Sequence, residues 1–219
     1  MSKERHIAEN FKVGALLSLV GGYLDTYTYI SRDGVFANAQ TGNMVLMGLR
    51  LTEGEFAAAV HYLIPVLSFV VGVLLVELIK SRFNDDPKIH WHQLTLTAEM
   101  LILLVVGFIP DDHNNIANVL VSLTCAMQVE GFRRLNGNAY ATTMCTGNLR
   151  SGSESLFNYF KTKDASERSK FILYFSIILI FITGAALGAV LTRLIGTKAV
   201  FICLAGQLGA LLILRSNNK

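Results

Sequence analysis

GGYLDTYTYISRDGVFANAQTGNMVLMGL, residues 21–49, decides how this chain is read. A carboxylate, Asp25, stands at the end of an apolar stretch. A polar, irregular segment follows over 31–40, and Thr41-Gly42-Asn43 opens a second apolar run. The triplet returns as Thr146-Gly147-Asn148, 105 residues later, and the same offset carries Asp25 onto Glu130. Each acid precedes its triplet by 16 positions. The chain therefore reads as one duplicated unit, residues 1–110 and 111–219, with function expected where the two copies of the device meet.

Composition sets the solvent. Hydrophobic residues make up 52% of the chain and charged residues 16%, and mean hydropathy is +0.46. Soluble domains carry about 25% charged residues, so lipid is the expected surroundings. Crossing a bilayer takes about 20 apolar residues. Candidate spans lie at 56–79, 94–109, 171–191 and 199–214, with a further one at 13–24, extending to 30 if Asp25 is tolerated. A shorter, more polar one lies at 116–129. The expected fold is an all-α integral membrane protein of about six transmembrane helices. Lys3, Arg5 and Lys12 precede the first span without a suitable small-residue cleavage site, so that segment reads as a retained helix.

Basic residues give the expected topology. If each TGN segment dips into the membrane and returns, one side holds Lys3, Arg5, Lys12, Lys80, Arg82, Lys88, Arg133, Arg134, Arg150, Lys161, Lys163, Arg168, Lys170, Arg215 and Lys219. The other holds Arg32, Arg50, Arg193 and Lys198. A split of 15 against 4 places the first side, with both termini, in the cytoplasm. Eight full crossings would nearly erase the bias. Three spans per half make the second repeat inverted relative to the first, an arrangement that recurs in secondary transporters.

The TGN segments carry the expected chemistry. Half-helices are expected at 41–51 and 146–156, each about half a bilayer core in length, with Thr41 and Thr146 as N-caps. Gly42 and Gly147 allow close approach of backbone or ligand. A helix beginning at membrane depth presents free amides and a positive dipole end there, a setting that favours an anion or a polar solute. The candidate substrate-binding residues are Thr41, Gly42, Asn43, Thr146, Gly147 and Asn148, flanked by Gln40, Asn38 and Gln128. Thr143 is a further cavity-lining candidate. Asp25 and Glu130 are candidate proton-coupling residues, because a carboxylate within a span is costly and points to function. The competing reading is that each carboxylate accepts from amides of its own TGN turn and only stabilises the break.

Other features rank lower. Glu99 falls opposite Leu204 under the 105-residue offset and so lies outside the duplicated device. Glu77 and Lys80 read as an interfacial pair, and His90-Trp91-His92 as an interfacial belt. Gly184, Gly188, Gly206 and Gly209 are expected to allow close helix packing. Cys125, Cys145 and Cys203 lack the spacing of a disulfide framework or a zinc site. The hydrolase, phosphate-loop and metalloprotease motifs are absent, so no enzyme, metal, cofactor or nucleic-acid partner is expected.

Residues 21–49, together with AMQVEGFRRLNGNAYATTMCTGNL at 126–149, resemble the YoaK-like family of bacterial integral membrane proteins. The resemblance covers essentially the whole chain. It implies a multi-pass protein of the bacterial plasma membrane with about six spans, and it carries over no substrate. An irregular strand followed by a half-helix is also similar in layout to sulfate and uracil permease-type carriers, which are far longer, so a compact version or a homodimer is implied. The expected function is a small inverted-repeat transporter or channel for a small polar or anionic solute. Proton coupling through Asp25 and Glu130 belongs to that expectation. A non-transporting membrane scaffold or binding protein is the alternative.

Overall fold

The computed structural model describes residues 8–84, 86 and 89–216; Lys3, Arg5, Lys88 and Lys219 lie outside them. Asn10 starts the first helix by accepting from the Lys12 amide at 2.8 Å, and α1 runs Phe11–Ser31. Then come α2 (Gln40–Thr52), α3 (Phe56–Phe83), α4 (Trp91–Val106) and α5 (Asn114–Gly131). The second half continues with α6 (Cys145–Thr162), α7 (Ala165–Ile195) and α8 (Val200–Ser216). Each of the six predicted apolar stretches falls largely within one long helix. On length and composition, Phe56–Phe83 and the continuous run Ala165–Ser216 qualify as membrane spans, and Trp91–Val106 is a shorter apolar helix.

The second linker differs from the first. Instead of being irregular throughout, it contains an antiparallel hairpin, β1 (Arg134–Leu135) with β2 (Asn138–Ala139). Asn136 and Gly137 turn it with φ of 48° and 79°, the left-handed pair that a two-residue Asn-Gly hairpin turn requires. Helix α6 also runs to Thr162, six residues past its predicted end. Its last turns seat Tyr159 against Phe171 of α7, ring centroids 5.7 Å apart.

Contacts between helix termini gather at two ends of the bundle. At one end, Gln93 of α4 donates to the Leu214 carbonyl of α8 at 3.3 Å. A cavity there is lined by Glu9, Lys80, Trp91, Glu130, Arg133 and Arg134. At the other end, Tyr27 donates to the Thr197 carbonyl at 3.1 Å, Lys198 to the Gly107 carbonyl at 2.8 Å, and His61 bonds Asn115 at 2.7 Å. The first end gathers most of the basic residues.

Helix α1 lies along α7 and α8, and α5 lies along α3 and α4; α2 packs on α3, α6 on α7, and α4 crosses α8. Exchanging α1–α4 with α5–α8 leaves these principal contacts unchanged. Gly184 and Gly188 bring α7 onto the backbone of α1 at Leu19 and Tyr23, and Gly206 and Gly209 bring α8 onto Val20 and Leu16. All four glycines therefore serve close packing, as expected. Trp91 and His92 do not form an exposed belt. They are buried and stacked 3.6 Å apart, with Trp91 against Val76 and Met127.

Candidate functional site

After α1 ends, the chain reverses and runs back along one face of that helix. Thr28, Asp25 and Gly21 lie one turn apart on this face, and each takes a hydrogen bond from the returning segment. The Ala37 amide donates to Thr28 Oγ1 at 3.3 Å and the Asn38 amide to Asp25 Oδ1 at 2.8 Å. Asn38 Nδ2 donates to the Gly21 carbonyl at 2.9 Å. This lateral pairing satisfies irregular backbone inside the bundle, where an unpaired amide is expensive.

The TGN triplets then begin their helices, though not as expected. Ala39 and Met144 are the N-caps, and neither makes a side-chain capping bond. Thr41 and Thr146 sit within the first turn and are exposed. The capping prediction failed because asparagine, not threonine, closes the loop. Asn43 Nδ2 donates to the Phe36 carbonyl at 2.7 Å, and its Oδ1 accepts from the Phe36 amide at 3.3 Å. Asn148 makes the same two bonds to Ala141, at 2.7 and 3.2 Å. Gln40 joins the first clasp, accepting from Asn43 at 3.0 Å and donating to the Ala37 carbonyl at 2.8 Å. Gly42 is half-buried beside Phe36, while Gly147 is exposed.

The two loops converge on Gly21. On one side it receives Asn38. On the other, a Cβ placed at Gly21 would stand 2.7 Å from Thr143 Cγ2 and 3.3 Å from the Thr142 carbonyl. Only glycine admits this approach. Asp25 also lies within electrostatic range of Cys145, the first residue of α6. Asp25 thus bonds the first returning segment and lies in electrostatic reach of the start of α6. In the two loops that meet at Gly21, Asn38 Oδ1, Thr142 Oγ1 and Thr143 Oγ1 are buried and have no hydrogen-bond partner. Such orphaned groups are rare in folded proteins and call for an explanation.

Glu130 is placed differently. It lies at the basic end of the bundle and bonds Arg133 at 3.0 Å, so the structure does not bring it to Asp25. Gln128 is buried and donates to the Leu17 carbonyl at 3.1 Å, tying α5 to α1. The Glu77–Lys80 pair forms as expected, at 2.7 Å.

Sequence reading missed three participants. Thr142 and Gly21 belong to the meeting point, and a small residue one helical turn before Asp25 was the available signal. Arg32 is the third: it is fully buried and binds Tyr27 Oη, Asn114 Oδ1 and the carbonyls of Val106, Ile109 and Pro110. It pins the end of α1 to the α4–α5 connection.

These features define a helical membrane protein whose two TGN loops meet inside the bundle. The chain belongs to the family described as "Protein of unknown function (DUF1275)", which matches residues 13–214. It is 25% identical over 184 residues to the UPF0700 transmembrane protein YoaK of Bacillus subtilis (strain 168), covering 80% of each chain. No solved structure matches it.

Proposed function

We propose that this protein is a small transporter of the bacterial plasma membrane, built from two inverted three-helix repeats, residues 1–110 and 111–219. It moves a small polar or anionic solute past Asp25. The observation that carries this reading is the convergence on Gly21 of the segments preceding both TGN helices, with three buried polar atoms left unpaired around it. A polar guest would satisfy them. The starts of α2 and α6 add positive dipole ends.

Three further features support the topology. The helices that hold the six apolar stretches share two ends, the principal contacts survive exchange of the halves, and the basic residues favour one end, which makes that end cytoplasmic. Under this reading the TGN helices do not cross, and both termini are cytoplasmic. Protonation of Asp25 removes the charge that strengthens its bond to the Asn38 amide, loosening the returning segment and opening the path. The scaffold alternative has its own support, because Asn43 and Asn148 are spent on backbone closure.

Purified protein reconstituted into liposomes separates the two. Uptake of at least one of chloride, sulfate, acetate or glycine above protein-free vesicles is expected, together with loss of that uptake in Thr142→Val/Thr143→Val. Absence of both uptake and binding across a wider solute panel would leave the scaffold reading standing.

A further inference from the structure

Where α4 crosses α8, two fully buried polar side chains face each other. Glu99, at the middle of α4, accepts from Gln207 Nε2 at 3.2 Å through Oε2. Its other oxygen, Oε1, has no partner, and neither does Gln207 Oε1. The pair is a polar layer between apolar ones. Leu96, Ala210 and Leu211 pack on one side, and Leu103, Cys203 and Val200 on the other.

No described Lys, Arg or His forms an ion pair with Glu99. The titratable groups that reach this region from neighbouring helices are Cys125 on α5, Cys203 on α8, and Tyr23 and Asp25 on α1. Helix α3 packs Val76, Ile79 and Phe83 into the cluster that holds Trp91, Ala98 and Ile102 of α4; its Lys80 lines the cavity beside Trp91 and pairs with Glu77, and His92 lies two turns away on α4 itself.

An ionised carboxylate here would carry an uncompensated charge out of water. It would also leave two acceptors, Glu99 Oε1 and Gln207 Oε1, without a donor between them. One added proton removes both problems. We propose that Glu99 and Gln207 form a buried proton-binding site, the proton resting on Glu99 Oε1 and donated to Gln207 Oε1 in a cyclic acid–amide pair. Bound proton holds the α4–α8 crossing closed; its release to water leaves two oxygens opposed and loosens the crossing. Use of this site in proton-coupled transport rests on the transporter reading, whereas proton binding itself does not.

Infrared spectroscopy of the full-length protein in detergent at neutral pH tests it. Wild type should show a protonated-carboxyl C=O band that Glu99→Gln removes and Asp25→Asn leaves in place. Gln207→Leu should move the band to the frequency of a free, unpaired acid, and this variant serves if Glu99→Gln fails to fold. An unchanged band in Glu99→Gln, loss of an ionised-carboxylate band instead, or no shift in Gln207→Leu overturns the proposal. Flux plays no part in this readout, so absence of transport would sink the transporter reading and leave the proton site standing.

Discussion

Asn43 holds Phe36 by both backbone groups, donating to its carbonyl at 2.7 Å and accepting from its amide at 3.3 Å. Asn148 repeats the clasp on Ala141 within 0.1 Å. The conserved geometry explains why asparagine follows Thr-Gly in both places. A side-chain amide carries its donor and its acceptor on two separate atoms, so it can bond a backbone carbonyl and amide at once.

Removing either clasp leaves one carbonyl and one amide of a partly buried loop unpaired. Asn43→Ala and Asn148→Ala should each cost about 1–3 kcal/mol, read as a lower unfolding midpoint in a fixed detergent. Asn→Asp should not rescue, because a carboxylate cannot donate to the carbonyl. Two neutral alanine variants would show that the loops hold their shape by other means.

Gly21 gives a prediction with an internal control. Alanine there gains about 1 kcal/mol of helix propensity, yet its Cβ meets Thr143 Cγ2 at 2.7 Å. Overpacking of this kind costs about 1–3 kcal/mol, so Gly21→Ala should be destabilised. Thr143→Ser removes the clashing methyl, and the double variant should recover the lost midpoint. Failure of the serine to rescue would mean that the second loop does not press on α1.

The helices at 56–79 and 171–191 were legible because apolar runs of spanning length leave few alternatives, and the four shorter apolar stretches also fall within helices. The starts of α2 and α6 were legible to within one residue because TGN marks a break in periodicity. What followed was harder. Helix α6 outlasts its predicted end because Phe157, Tyr159 and Phe160 add an aromatic stripe among charged residues. The spacing between the halves consequently grows from 105 at the triplets to 109 at the starts of α3 and α7. A fixed offset therefore paired Glu99 with Leu204 and overlooked Gln207. Asn136-Gly137 did signal a hairpin, and that hairpin lies between Glu130 and its triplet. Asp25 has Asn38 to bind, whereas the position matching Asn38 is Thr143, so equal spacing did not give equal surroundings.

Arg32 should be the least replaceable charge in the described chain. Its guanidinium reaches three backbone carbonyls and two side chains from a fully buried position. Bonds to a charged donor contribute about 1.5–3 kcal/mol each, so Arg32→Ala should lose more than about 3 kcal/mol. Arg32→Lys should recover little, since an ammonium cannot match the planar fork. Measured unfolding midpoints would decide this, and a lysine variant equal to wild type would refute the clamp.

Asp25 and Glu130 make opposite predictions despite their matched spacing. Asp25→Asn keeps an oxygen for the Asn38 amide, so the fold should survive with a loss within about 1 kcal/mol, the scale of one neutral hydrogen bond. It removes the proton-accepting group beside the first loop, so flux of the transported solute in liposomes should respond less to pH than in wild type. Glu130 bonds an Arg133 side chain that is 65% exposed, a pairing expected to contribute about 0–1 kcal/mol. Glu130→Gln should therefore keep both stability and the pH response. Parallel flux–pH profiles of the two variants check the assignment. If Glu130→Gln flattened the profile while Asp25→Asn preserved it, the coupling residue would lie at the basic end of the bundle, and the Asp25–Asn38 bond would be no more than a support for the returning segment.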